Sequence, residues 1–414
     1  MRILLTSPDH WNYPLPYHIA PQRIARALTR AGHELFNIDL YEEVWGVPPH
    51  PPNQVFQTPW GPSIHSLGSA APSRPDLVKD YLKQIEIAIN EFKPDLIYFL
   101  GHLGSGDIPL AQEAGIPFGL HRADPYWKPE HLPRPSNLKF HARADFMTFN
   151  EGQAWNYFKQ NGLGDKAWLL NHAVDPYLAP TLQEVQRTEK RYLCTTVMGG
   201  EDPPRISELI EKYYMATDAF PDQLFIGAGG IGKSFMWKLD ELRRKVPNDQ
   251  SQPHSPEETV YHGRGFNMTK LFHYYCDNFP SKTNYHLLCH KAVHQLYSEG
   301  LYAFTPWGDY LRTGILGEYN TKTFGTKTFE MGGSGAAMLS CHIADIEEVV
   351  IDGKTGFITH NTKETEEAFQ YAIDNPDAVR KMGEEAWRDI HKRHSWDVRY
   401  RDVLVPIFKD LGLM

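Results

Sequence analysis

Lys322-Thr-Phe-Gly-Thr-Lys-Thr-Phe-Glu330, followed by Met331-Gly-Gly-Ser-Gly335 and the apolar run Ala336-Ala-Met-Leu339, decides how this chain is read. A Phe324-Gly325 turn stands just ahead of the acidic Glu330, and a glycine-rich step follows close behind. That order suits a pocket for phosphate and ribose. Backbone N–H groups near helix N-termini can meet phosphate, and a carboxylate can accept hydrogen bonds from ribose hydroxyls. A second glycine-rich stretch, Gly227-Ala-Gly-Gly-Ile-Gly232-Lys233-Ser234, competes with it.

Working outward, 414 residues exceed one ordinary core, so two domains are expected. Hydrophobic residues at 41% and charged residues at 22% are the composition of a globular chain. A net charge of −9 argues against nucleic acid or an anionic membrane as partner. Cys194, Cys276, Cys289 and Cys341 form no C-x-x-C pair, which fits a reducing compartment without a disulfide framework. Cys289-His290 and Cys341-His342 lack zinc spacing, so no metal site is expected. Met1 to Thr6 is too short an apolar run for a signal peptide, and no window approaches a membrane span. The expected location is cytoplasmic, with no integral membrane segment.

Strand and helix signals alternate along the chain, the pattern of α/β domains with parallel sheets. Arg2 to Ser7, Glu34 to Asp39, Pro94 to Leu100, Ile116 to Leu120, Phe146 to Phe149 and Ala167 to Leu170 read as strands, with helices at Pro21 to Ala31 and Leu77 to Glu91. Eight prolines between Val47 and Pro75 predict a long irregular excursion. Residues 1–172 form a first domain, 173–190 a polar linker, 191–394 a second domain, and 395–414 one amphipathic helix crossing back to the first. In the second domain Arg191 to Val197, Gln223 to Ile226, Thr259 to Tyr261, Tyr302 to Thr305, Ala336 to Ser340 and Gly356 to Thr359 read as strands. Helices are read at Arg205 to Ala216, Phe235 to Lys245 and His290 to Tyr297, with an insertion near Asn267 to Leu288.

Gly227 to Ser234 matches the phosphate-binding loop pattern of NTPases, after a strand and before a helix, and Glu348-Val-Val-Ile-Asp352 resembles its magnesium-binding strand. The motif follows the second strand of its domain rather than the first, and Asp352 runs straight into the turn Gly353-Lys-Thr-Gly356. A strand-to-helix turn also needs glycine for its own geometry. A P-loop NTPase is therefore the runner-up reading.

The second domain resembles the GT-B glycosyltransferases, of the group 1 type and particularly the CgeB-like group. Val197-Met-Gly199-Gly200 with Arg205 matches the family's first Gly turn. Leu224-Phe-Ile-Gly227-Ala-Gly229 matches its GxG turn, and Val260-Tyr-His-Gly263 a further segment. The E-x7-E signature aligns onto Lys322 to Glu330, and Ile346 to Phe357 resembles the E-x-V-x-D-G-x-T-G-F hairpin. The chain departs at Lys322, where the family has its first Glu, and at Lys327, where it has proline. The resemblance implies two Rossmann-like domains facing a cleft and transfer of a sugar from a UDP- or GDP-linked donor to an acceptor, without metal or cofactor. A GT-B-like protein that binds sugar nucleotide or glycan without catalysis is the third reading.

The departing diphosphate needs preorganised N–H groups and cations. Gly199, Gly200, Arg205, Lys322, Lys327 and Thr328 are the candidates, with the amides of Gly333 to Gly335, and the resemblance gives Glu330 the ribose. His121 and Asp124 follow a strand of the first domain, where open α/β sheets bind ligands, and are the catalytic candidates: either takes the acceptor's proton or positions the sugar. His102, one strand earlier, is similar. Trp11, Tyr13 and Tyr17 follow the first strand and suit acceptor binding.

Overall fold

Strands buried on both faces of a parallel sheet are short and almost wholly apolar, and Ile3-Leu-Leu5, Leu96 to Phe99 and Ala337 to Leu339 fit that rule. The computed structural model describes residues 1–7, 20–41, 54–58, 61–67, 75–100, 107–122, 135–198, 216, 219–220, 222–223, 225–229, 266–267, 293–305 and 322–414. These divide into two units: Met1–Asn171 with Trp396–Met414, and His172–Ser395.

The first unit contains β1 (Arg2–Ser7), α1 (Ala20–Arg30), β2 (Glu34–Tyr41), β3 (Gln54–Thr58), β4 (Gly61–Leu67), α2 (Pro75–Phe92), β5 (Leu96–Phe99), α3 (Asp107–Glu113), β6 (Phe118–Arg122), α4 (Pro135–His141), β7 (Phe146–Phe149), α5 (Gly152–Phe158) and β8 (Ala167–Leu169). Its sheet order is β3-β4-β2-β1-β5-β6-β7-β8, with every pairing parallel except β3 with β4. The order reverses between β1 and β5, which makes that edge the crevice where such sheets take ligands.

The proline-rich stretch differs from the expected irregular excursion. It holds the antiparallel pair β3 and β4, with Val55 opposite Ile64. The prolines flank these strands rather than interrupt them, apart from Pro62 beside the first residue of β4, where a missing N–H is tolerated.

The second unit contains α6 (Leu182–Arg187), β9 (Tyr192–Met198), β10 (Phe225–Gly229), β11 (Phe266–Asn267), a helix over 293–298, β12 (Gly300–Thr305), α7 (Thr326–Gly333), β13 (Ala337–Cys341), β14 (Gly356–Thr359), α8 (Thr362–Asp374) and α9 (Pro376–Arg393). Its all-parallel sheet runs β11-β10-β9-β12-β13-β14, reversing between β9 and β12. Alternate residues feed two cores on opposite faces. Ala303 and Met338 join one, while Tyr302, Phe304, Ala337 and Leu339 join the other.

Residues 173–190, read from sequence as a linker, pack into the second unit. Val174, Leu178 and Val185 are buried, and Thr181-Leu-Gln-Glu184 closes a capping box on α6. Thr181 Oγ1 accepts from the Glu184 N–H, and the Glu184 carboxylate accepts from the Thr181 N–H at 2.7 Å. Within α6 the one buried residue is Val185, and it anchors the helix.

Trp396 to Asp410 is helical, as α10 (Trp396–Arg399), a wider turn at Tyr400–Leu404 and α11 (Val405–Asp410). The wide turn ends next to Pro406, which lacks the N–H a regular turn would use. This segment docks on α1: Asp397 pairs with Arg30 at 2.6 Å, and the Tyr400 hydroxyl meets His33 Nε2 at 2.8 Å. Among the described residues no helix is long and apolar enough to cross a membrane.

Candidate functional site

In the first unit the sheet's C-terminal edge carries a buried polar row on one face of β5, β6 and β7. Parallel register sets His121 opposite Thr148, and sets Tyr98, Gly119 and Phe146 side by side one step back. His121 Nδ1 lies 2.8 Å from Thr148 Oγ1, which also meets the Tyr98 hydroxyl at 2.5 Å. Gly119 makes this possible. A Cβ there would fall 2.0 Å from the Phe146 ring, so only glycine lets that ring lie across β6, beside Tyr98.

His121 is 5% exposed, and its Nε2 has no hydrogen-bond partner among the described residues. Burial pushes the imidazole down to about 3, so it is neutral near pH 7, and burial raises the Tyr98 phenol, which keeps its proton. The imidazole lies at a strand's C-terminal end, the edge at which open α/β sheets bind ligands. Sequence reasoning found His121 but missed Tyr98 and Thr148, because nothing local joins residues on three different strands.

In the second unit α7 follows Gly325, which occupies the N-cap with extended backbone and no capping side chain. Thr328 N–H donates to Gly325 O at 3.1 Å, no side chain caps this end, and the helix dipole favours an anion there. Thr328 is fully buried and its hydroxyl has no hydrogen-bond partner among the described residues. Glu330 is 4% exposed, and its charge adds to burial in raising the Tyr297 phenol. Lys327 is half-buried on the first turn of the same helix. At the end of β12, beside the point where strand order reverses, Thr305 holds a second buried hydroxyl without a partner among the described residues. Thr305 was not singled out from sequence, though its place at the end of a read strand was a usable signal.

Two expectations change. Lys322 adopts a left-handed backbone (φ 50°), its N–H donates to Asp345 at 3.0 Å, and its ammonium pairs with Glu348 at 3.0 Å. The lysine thus braces the segment that leads into the Asp352–Gly356 turn. The amides of Gly333 to Gly335 are not at a helix N-terminus, as phosphate binding would require, but at the C-terminal end of α7. There Ser334 N–H bonds Glu330 O at 2.9 Å and Gly335 N–H bonds Gly332 O at 2.9 Å. These glycines serve packing: a Cβ would lie 2.8 Å from Ile390 at Gly332, 2.4 Å from Val174 at Gly333 and 2.2 Å from Val185 at Gly335.

The NTPase features fare differently from their pattern. Gly227, Ala228 and Gly229 sit inside β10, in register with Thr196, Val197 and Met198, so the first three residues of the supposed loop are ladder. Glu348 closes a short 3-10 turn rather than lying on a strand, and the Asp352 carboxylate accepts from Ile358 N–H at 3.0 Å within its own turn. Gly230 to Ser234, Asp124, Gly199, Gly200, Arg205, His102, Trp11, Tyr13 and Tyr17 lie outside the described residues. No group of three or more His, Cys, Asp or Glu among the described residues is placed to hold a metal ion.

Residues 268–405 match the family described as glycosyl transferase-like, about a third of the chain. No curated protein matches the chain in sequence. Among solved structures, sucrose-phosphate synthase from Thermosynechococcus elongatus superposes with a TM-score of 0.62 at 12% identity, covering 99% of each chain. HepE from Anabaena, in complex with UDP, gives 0.60 at 14% identity over 99% of this chain and 100% of its own. A glycosyltransferase from Rickettsia africae gives 0.58 at 12% identity over 100% and 99%. The chain has the GT-B fold, and residues 268–405 of it are similar to the glycosyl transferase-like family.

Proposed function

We propose that this protein is a glycosyltransferase that moves a sugar from a UDP-sugar to an acceptor hydroxyl. The observation that carries the reading is α7: a buried Glu330 behind a glycine-capped N-terminus, inside the region that matches the glycosyl transferase-like family. The acceptor oxygen replaces UDP at the anomeric carbon, its proton is released, and negative charge develops on the leaving diphosphate. The first turn of α7, with Lys327 and Thr328, is placed to meet that charge, and Gly199, Gly200 and Arg205 join them in this reading. Glu330 accepts hydrogen bonds from the ribose. Lys322 braces the neighbouring turn instead of touching the sugar, so the usual first Glu has no substitute there. The UDP preference draws on the nucleotide bound by HepE, the metal-free route and the CgeB-like affinity on the motifs alone.

His121 and Asp124 serve the sugar or the acceptor from the first unit. Expected losses are direct. Removing a charged hydrogen-bond acceptor from a buried pair costs about 1.5–3 kcal/mol, so Glu330→Ala weakens UDP-glucose binding roughly 10- to 150-fold in calorimetry while the fold stays intact. Unchanged binding sinks the pocket. Release of nucleoside diphosphate from a panel of UDP-, GDP- and TDP-sugars separates catalysis from mere binding. Loss of nucleotide affinity in Lys233→Ala, with Glu330→Ala silent, would instead favour the NTPase.

A further inference from the structure

Among the described residues, three that are not glycine have left-handed backbone: Lys93, Lys322 and Asp345. Lys93 directly follows α2, where such a residue ends a helix in the ordinary way. Lys322 and Asp345 instead stand ahead of helical turns, α7 and the 3-10 turn Ile346–Glu348. They are also bonded to each other, the Lys322 N–H donating to Asp345 Oδ2 at 3.0 Å. Left-handed backbone sets Cβ against the following carbonyl oxygen, and aspartate tolerates it better than lysine does. The two ends of the bond differ in anchorage. Asp345 O accepts from Glu348 N–H at 3.0 Å, and Ile346 and Val349 lie fully buried in the core cluster that also holds Phe324. Arg393 of α9 fixes the same turn, donating to Glu348 O at 2.9 Å. Lys322 is the strained end. Its ammonium pair with Glu348 is exposed to solvent and worth little, which leaves the carboxylate on its N–H as the stronger hold.

Three residues beyond Lys322, Gly325 opens α7, and Phe324 between them is buried. The φ of Lys322 therefore sets the direction in which the chain enters the helix. Rotation to the right-handed or extended region would swing Thr323 to Gly325, and with them the first turn that carries the buried Thr328 hydroxyl. Strained backbone persists where its surroundings enforce it, and it gathers at ligand clamps. We propose that Asp345 is a positioning residue for the donor diphosphate: it holds Lys322 in the left-handed region and so fixes where the first turn of α7 presents its N–H groups. Position 322 is thus used through its backbone, while its ammonium serves a surface pair. The donor half rests on the glycosyltransferase reading of α7; the hold of Asp345 on Lys322 stands without it.

Three variants of the full chain separate this hold from general packing. Asp345→Gly accepts left-handed backbone but loses the carboxylate, and Asp345→Asn keeps an acceptor. Asp345→Gly combined with Lys322→Gly also removes the lysine's reason to leave that region. Hydrogen exchange of the Lys322 amide should run about tenfold faster in Asp345→Gly and stay within about twofold of the parent in Asp345→Asn, with the β13 amides unchanged as the check on folding. UDP affinity by calorimetry should fall about tenfold in Asp345→Gly, and lie within about threefold of the parent in Asp345→Asn and in the double variant. Uridine, which has no phosphate, should lose less than about twofold throughout, whereas mere loosening of the unit would weaken both ligands alike. A Lys322 amide that is unprotected in the parent, or indifferent to Asp345→Gly, overturns the hold. Equal losses for uridine and UDP, or UDP affinity untouched by Asp345→Gly, overturn the positioning. A parent that binds neither ligand overturns the glycosyltransferase reading and the donor half with it, while the exchange rates still decide the hold.

Discussion

Replacing Gly335 with alanine separates two meanings of the glycine-rich step that ends α7. Gly335 has φ of +78°, a region that costs an L-residue roughly 1–2 kcal/mol. Its new Cβ would also stand 2.2 Å from Val185 Cγ1 and 2.7 Å from Cγ2, far inside van der Waals contact. Overpacking of that kind adds roughly 1–3 kcal/mol, so Gly335→Ala should destabilise the second unit by about 2–5 kcal/mol. The two parts come apart in a double-mutant cycle. Val185→Ala deletes both methyls, so in that background the backbone part and a 3.0 Å approach to the retained Cβ remain, and the coupling should be roughly 1–3 kcal/mol in the compensating direction. Urea denaturation followed by hydrogen exchange of the α7 and β13 amides reads the second unit alone. UDP-glucose affinity of the folded protein should stay within about twofold. An unchanged midpoint together with a tenfold loss of affinity refutes the packing role and returns the glycine to the ligand.

Two further outcomes are expected. Lys322→Ala removes an ion pair whose side chains are 40% and 47% exposed, so it should cost less than about 1 kcal/mol by chemical denaturation and shift UDP-glucose affinity far less than Glu330→Ala does. A loss equal to that of Glu330→Ala would place Lys322 on the donor after all. Lys190 sends its ammonium to Ser298 O at 2.8 Å and Gly335 O at 3.0 Å; burial first, then Arg380, pushes it down to about 7, with Glu384 opposing. The unfolded chain therefore holds this proton between about pH 7 and 10.5 when the folded one does not, and stability from this group rises with pH across that window, by up to about 1.4 kcal/mol per unit. Lys190→Met should lack that rise; matching pH profiles of the two proteins would show that Lys190 stays charged when folded.

Much of the fold was legible because buried parallel strands announce themselves. The runs at β1, β5, β7, β9, β12, β13 and β14 are short, apolar and bounded by turn residues. What local pattern does not encode is which strands lie side by side. Tyr98, His121 and Thr148 are ordinary strand residues until register brings them together, so the row around His121 was half visible. Glu330 was singled out through the family resemblance, whereas its helix, Thr326 to Gly333, was not read from the sequence. The role of Gly332 to Gly335 was misjudged because glycine close to a motif suits both phosphate approach and close packing, and only the neighbours Val174, Val185 and Ile390 decide between them. The α6 segment was missed for the opposite reason. Its polar composition suggested a linker, although Thr181 and Glu184 spell a capping signal that needs no tertiary knowledge.

The division of the chain sets an order of assembly. Residues of the first unit leave the ribosome, then all of His172–Ser395, and only afterwards the helical segment whose Asp397 and Tyr400 meet Arg30 and His33. The second unit is contiguous and can close its sheet from local crossovers, whereas the first must hold α1 with one side uncovered until its partner has been translated. Contacts of such separation are slow to form and leave apolar surface exposed in the interval. During synthesis, then, the half of the protein that begins first is the half that finishes last.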